Sequence, residues 1–164
     1  MRDEDLKITA LEGGYSIAVC GRANFEYAVP LRDLAGKLVS ENWVEFDMEN
    51  CETMDSTFMG VLTMLALKLR KNGKTLKLIN AGEHLVKLLR DLGVAKMFNF
   101  ISDICAANGG QVVKIAESGL LAKAETVAEA HKALVGADSS NAERFSQVIE
   151  FAEQDVKRLR EEEK

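Results

Sequence analysis

The residues Asp55, Ser56 and Thr57 set a carboxylate beside two hydroxyl groups where the pattern of the chain changes. Before them, residues 44–49 alternate apolar and polar side chains, as a half-buried strand does. After them, apolar residues recur at the three- and four-residue spacing of a helix. Ser56 is therefore predicted to lie at the start of a helix, where unpartnered backbone N–H groups favour an anion such as phosphate.

A helix cap is the structural alternative for the same residues. Ser and Asp are both preferred at the N-cap, because their side-chain oxygens accept hydrogen bonds from the first N–H groups of a helix. From the residues alone, capping the helix could be the whole role of Asp55 or Ser56.

Enzymatic uses of Ser56 find little support. The chain has two histidines, and neither His84 nor His131 has a partner at metal-ligand spacing. A triad of Ser56, His84 and Asp55 is disfavoured because adjacent residues do not easily share one histidine, and the Gly-x-Ser-x-Gly turn is absent. Nucleotide-binding glycine motifs are also absent. We expect a protein that is not an enzyme and that carries no metal and no cofactor.

Composition excludes further classes of function. The net charge of -5 offers no basic field for nucleic acid or anionic lipid. Cys20, Cys51 and Cys105 have no paired spacing, which favours free thiols in a reducing compartment. Residues 1–5 form no apolar signal region, and no apolar run reaches the roughly 20 residues that span a bilayer. We expect a cytoplasmic protein without membrane contact.

The order of elements predicts an α/β fold with a mixed, mostly parallel sheet. Two short strands meet at Gly13-Gly14, whose freedom of φ suits a hairpin turn. Pro30 is interpreted as lying near the start of the first helix. Single helices then separate the later strands, which implies parallel pairing with crossover connections. The strands and helices that follow are predicted at 43–48, 57–71, 75–79, 83–92 and 98–101.

The last third of the chain differs in character. Residues 102–122 are predicted to be a linker, with 111–116 either a short strand or a connector. Residues 123–164 form a helical extension in which two helix patterns, 124–135 and 142–159, make a hairpin. Two interpretations stay open: the hairpin packs on the main domain, or it binds a partner or a second copy of the chain.

Several of these segments together resemble one known family. The strand at 44–48 is followed by Asp55-Ser56-Thr57, and then by Gly60 with apolar residues after it. The stretches 73–80 and 88–98 add further agreement in the same order. On these motifs, residues 5–101 are similar to the STAS domain of bacterial anti-sigma factor antagonists.

The resemblance implies a protein-binding switch in bacterial transcription control. Ser56 would be phosphorylated by an anti-sigma factor that is itself a serine kinase, and a PP2C-type phosphatase would reverse the modification. The unphosphorylated protein would bind the kinase and so free a sigma factor. The residues expected to contact the partner are Asp55, Thr57, Phe58, Met59 and Asn24.

One departure from the family pattern leaves the partner open. Phe58 and Met59 replace the usual Gly-Leu, and Phe58 is either a core anchor or an exposed contact for a different partner. A second hypothesis therefore uses the same fold without phosphorylation, as an adaptor of a transporter or of a scaffold complex. A homodimer is compatible with either hypothesis.

Overall fold

The computed structural model describes residue 2 and residues 5–104 and 109–164, and within these ranges the chain forms eight strands, six α-helices and one short 3-10 helix, Ala95–Met97. The strands are β1 (Leu6–Leu11), β2 (Gly14–Val19), β3 (Gly21–Ala23), β4 (Trp43–Asp47), β5 (Cys51–Met54), β6 (Leu76–Ile79), β7 (Phe98–Ile101) and β8 (Gln111–Val113). The helices are α1 (Phe25–Asp33), α2 (Ala35–Ser40), α3 (Ser56–Lys71), α4 (Glu83–Asp91), α5 (Leu120–Ala137) and α6 (Asn141–Glu162). Cys105 and part of the predicted linker lie outside the described residues.

The main sheet has six strands in the order β7-β6-β4-β2-β1-β8. Strands β2, β4, β6 and β7 pair in parallel, while β1 is antiparallel to both of its neighbours. Gly13, with φ of 80°, makes the turn between β1 and β2, a conformation that glycine adopts without a steric penalty. The predicted α/β fold with a mostly parallel sheet is confirmed.

A second sheet of two strands, β3 and β5, was not predicted. No strand is predicted from the sequence at residues 21–23 or at residues 51–54. The two segments instead pair in parallel, with Ala23 opposite Met54. Each strand is too short for its alternation of side chains to be recognised in sequence. Because their carboxyl ends lie side by side, the pairing brings the starts of α1 and α3 together.

The prediction for Pro30 was wrong. Helix α1 begins at Phe25, and Asn24 caps it by accepting a hydrogen bond of 2.9 Å from the N–H of Glu26. Pro30 lies inside the helix, where its ring removes one backbone donor. The helix continues past it, and α1 ends at Asp33 just before α2 begins. The cap at Asn24 decides where the helix begins, and proline here does not mark its first turn.

Helices α5 and α6 form the predicted hairpin, and the hairpin packs on the main domain. Helix α5 lies against both α1 and α3, and α6 lies against α5. Arg32 of α1 forms ion pairs with Glu129 and with Glu125 of α5, the latter at 3.3 Å. At the turn between the helices, the buried Asn141 donates to the backbone oxygens of Leu92 and Leu134 at 2.9 Å each.

Helices α3 and α5 approach each other closely at Gly60. A side-chain carbon built on Gly60 would lie 2.4 Å from the backbone oxygen of Ala130 and 2.7 Å from its Cβ. Real atoms do not approach so closely, so only glycine fits at this depth. The absence of a side chain at position 60 therefore sets the distance between the two helices.

We expect Gly60→Ala to lower the free energy of unfolding by about 1–3 kcal/mol, because the new methyl group overpacks the contact with a backbone atom. This loss should appear even though alanine has the better helix propensity, by about 1 kcal/mol. Urea denaturation followed by circular dichroism measures the change.

Gly36→Ala is the matched control. Gly36 lies in α2, and a Cβ there would meet no atom within 4 Å. This variant should be as stable as the wild type or more stable. A Gly60→Ala protein with undiminished stability would contradict the close packing of α5 on α3.

Candidate functional site

Asp55 is the N-cap of α3. One of its carboxylate oxygens, Oδ1, accepts a hydrogen bond of 2.8 Å from the N–H of Phe58. The residue is exposed as a whole, yet its carboxylate is enclosed enough that burial raises its pKa. Hydrogen bonds from the N–H groups of Phe58 and Phe25 oppose that rise. Asp55 thus ties the start of α3 to the start of α1.

Ser56 is the first residue of α3, and its hydroxyl is engaged by the C-terminal hairpin. Its Oγ lies 2.9 Å from Nε2 of His131, a residue of α5 that is 75 positions away in sequence. Ser56 is half-buried, so one side of it faces solvent. The structure therefore brings together a hydroxyl, an imidazole and the positive end of a helix dipole.

The second nitrogen of His131 determines where the protons lie. Nδ1 is 2.7 Å from the backbone oxygen of Val127. A carbonyl oxygen can only accept, so Nδ1 carries the hydrogen and Nε2 of the neutral ring carries a lone pair. The Ser56 hydroxyl consequently donates a hydrogen bond to Nε2.

The surroundings of His131 favour its neutral form. The residue is 2% exposed, and the ring of Phe145 from α6 packs edge-on against it with centroids 4.9 Å apart. Burial lowers the pKa of His131, while the hydrogen bond to Val127 and the charge of Asp55 act in the opposite direction. The neutral ring matches its role as the acceptor of the hydrogen bond from the Ser56 hydroxyl.

The lowered pKa of His131 predicts a specific pH dependence of stability. The unfolded chain binds a proton at the ordinary histidine pKa of about 6.5, whereas the folded state resists it. Stability contributed by this site is therefore present above that pKa and is lost as pH falls through it. Urea denaturation at pH 7.5 and pH 5.5 should show a smaller pH effect in His131→Gln than in the wild type. Equal effects in both proteins would contradict this assignment.

The predicted partner contacts divide into two groups. Thr57, Phe58 and Met59 are buried, at 7%, 0% and 6% exposure. Phe58 packs edge-on against Tyr27 of α1, so of its two interpretations the core anchor holds in this structure. A partner could reach these three side chains only if the surrounding helices moved.

The remaining predicted contacts lie close together at one surface. Asn24 is half-buried and Asp55 is exposed, and the pairing of β3 with β5 places them at neighbouring strand ends. The side-chain oxygen of Asn24 is used in capping α1, so its contact with a partner remains a prediction. Asp55 and Ser56 present the accessible polar surface next to it.

His131 is the residue beside Ser56 that sequence reasoning missed. From the sequence, His131 is considered only as a metal ligand, and no second ligand lies at a suitable spacing. No local spacing links position 131 to position 56. The pair arises only from the packing of α5 on α3. A histidine among small apolar residues of a helix pattern, as in Ala130-His131, was the available signal of a buried polar contact.

Other chemistry is poorly supported among the described residues. No three His, Cys, Asp or Glu residues gather in a geometry that could hold a metal ion. Burial raises the pKa of the Cys51 thiol to about 11, which leaves it unreactive. The cavity of about 650 Å³ beside α1 is lined by neither Ser56 nor His131. No described helix has the length and apolar character needed to cross a bilayer.

Comparison with known families gives a match over residues 11–101 to the family described as Mlab, STAS domain. The matched segment is more than half of the chain. The chain belongs to the STAS domain family. The matched segment contains β2 to β7, α1 to α4 and only the last residue of β1, while β8, α5 and α6 lie outside it.

Two solved structures resemble the STAS domain in fold. The anti-sigma factor antagonist SpoIIAA in its unphosphorylated form aligns with a TM-score of 0.50 and 12% identity, covering 61% of this chain and 89% of its own. A proposed anti-sigma factor antagonist from Thermotoga maritima aligns with a TM-score of 0.53 and 14% identity, covering 60% and 87%. No curated protein matches the sequence. At these identities the likeness establishes the fold.

Proposed function

We propose that this STAS domain is an anti-sigma factor antagonist whose binding to an anti-sigma factor serine kinase is switched by phosphorylation of Ser56. The unphosphorylated protein sequesters the kinase, and a PP2C-type phosphatase restores that form. The protein acts as a binding module in the bacterial cytoplasm and needs no cofactor of its own.

The observation that carries this proposal is the position of the Ser56 hydroxyl. It lies at the first residue of α3, with one side open to solvent. The N-terminus of a helix stabilises an added phosphate, so modification does not require the domain to unfold. Asp55 is the neighbouring exposed acid, and the two anionic groups would together repel a partner surface that fits a neutral hydroxyl.

The modification itself is an ordinary phosphoryl transfer from ATP bound to the kinase. The Ser56 oxygen forms a bond to the γ-phosphorus, and the bond from that phosphorus to the β–γ bridging oxygen breaks. ADP leaves, and the hydroxyl proton passes to a base of the kinase. The added group carries a charge of about -1.5 to -2 at neutral pH.

We expect Ser56→Ala to bind the cognate kinase and to resist phosphorylation, since the contact surface stays neutral and the acceptor oxygen is gone. Ser56→Asp should bind at least tenfold more weakly, because it keeps a negative charge at the interface. Calorimetric titration and incubation with labelled ATP measure these two properties.

Thr53→Val is the matched control for the acceptor. Thr53 carries a hydroxyl near the site, at 3.1 Å from Nε2 of His84, and its loss should leave phosphorylation unchanged. Equal affinity of Ser56→Ala and Ser56→Asp for the kinase would overturn the proposed switch.

A STAS adaptor without phosphorylation is the second candidate function. The hydrogen bond between Ser56 and His131 favours it, because a contact that joins α5 to α3 is by itself a structural reason for both residues. This candidate predicts that the protein co-purifies with a transporter or scaffold complex. Neither Ser56→Ala nor Ser56→Asp should change the amount of that complex recovered. Recovery of a soluble kinase that distinguishes the two variants would decide for the antagonist.

A further inference from the structure

The C-terminal hairpin covers the face of α3 that begins at Ser56. Gly60 touches Ala130, and Thr63, farther along α3, is fully buried at 0% exposure. Ser56, Gly60 and Thr63 follow the spacing of one helix face. Any partner that uses this face must compete with the hairpin of the same chain.

The Ser56–His131 hydrogen bond is the polar contact at the phosphoacceptor end of this packing. In the unmodified protein a neutral hydroxyl donates to a neutral imidazole. Phosphorylation replaces the hydroxyl proton by a phosphate, which at pH 7.5 is mostly the dianion and then offers only acceptor oxygens to Nε2. A lone pair on Nε2 would then face a negatively charged oxygen, and the contact survives only if the ring takes up a proton.

We propose that phosphorylation of Ser56 converts the neutral hydrogen bond into a phosphate–imidazolium ion pair with His131, and that this pair holds the C-terminal hairpin on α3. The inference rests on the proposed role of Ser56 as phosphoacceptor. His131 is thereby assigned as the residue of the same chain that binds the phosphate.

The charges around His131 favour this outcome. Asp55 at the start of α3 already acts to raise the pKa of His131, and a phosphate next to it acts in the same sense with a larger charge. On α5, Glu129 pairs with Arg32 of α1 and Lys132 pairs with Glu153 of α6 at 3.1 Å. From α6, the residue that contacts the imidazole is the uncharged Phe145.

The added phosphate can extend toward the solvent-facing side of Ser56. Ser56 is half-buried and Asp55 is exposed, so two phosphate oxygens can remain hydrated while a third meets Nε2. A charge-assisted hydrogen bond is stronger than the neutral one that it replaces. The unmodified hairpin is therefore the more easily displaced, and the modified hairpin keeps the α3 face covered.

The test uses the full chain with phosphoserine inserted at position 56 during translation, in comparison with the unmodified chain. Nitrogen NMR of the imidazole at pH 7.5 should show His131 protonated at both nitrogens only in the phosphorylated protein. Hydrogen exchange of the α5 amides, residues 120–137, should slow at least tenfold on phosphorylation. A neutral His131 would overturn the proposal because no ion pair then forms, and faster exchange in α5 would overturn it because the phosphate then releases the hairpin.

Variants identify the contact that is responsible. His131→Gln should abolish the effect of phosphorylation on α5 exchange. Lys132→Ala should preserve it, because Lys132 lies on the same helix but pairs with Glu153 of α6. The NMR result on the phosphorylated wild type decides the matter even if His131→Gln folds poorly. No kinase is present in these measurements, so a negative result counts against the ion pair between phosphorylated Ser56 and His131. The proposed function is tested separately, by the binding experiment with Ser56→Ala and Ser56→Asp.

Discussion

The close approach of α5 to α3 at Gly60 is the constraint on which the site depends. With no side chain at position 60, the backbone of Ala130 lies against α3, and the next residue of α5 is His131. The imidazole of His131 reaches Ser56, which lies four residues before Gly60 on α3. A larger spacing between the helices would leave a buried histidine without its serine, at a cost in unsatisfied polar groups.

Much of the fold was accessible from sequence because its signals are local. The Gly13-Gly14 turn and the apolar spacing of α3 and α4 are each contained in a short window, and the structure confirms the elements they predict. The position of Ser56 at a helix start follows from the same kind of signal. The structure identifies Asp55 as the cap, which the residue types alone left open between Asp55 and Ser56.

What sequence could not provide depends on contacts between distant segments. The pairing of β3 with β5 joins residues about thirty positions apart, and neither strand is long enough to show a pattern of its own. The partnership of His131 with Ser56 is more distant still. Phe58 illustrates a third limit, since its spacing fits a buried face and an exposed contact equally until the packing against Tyr27 is known.

The short strand β8 has a consequence for how any partner competes with the hairpin. It pairs with β1 at the edge of the sheet and is followed by residues 114–119 before α5 begins. A segment of this length spans about 20 Å when fully extended. A displaced hairpin therefore stays tethered close to α3, at an effective concentration in the millimolar range. A partner present at micromolar concentration must exceed the intrinsic affinity of the hairpin for α3 by roughly a thousandfold to occupy the face.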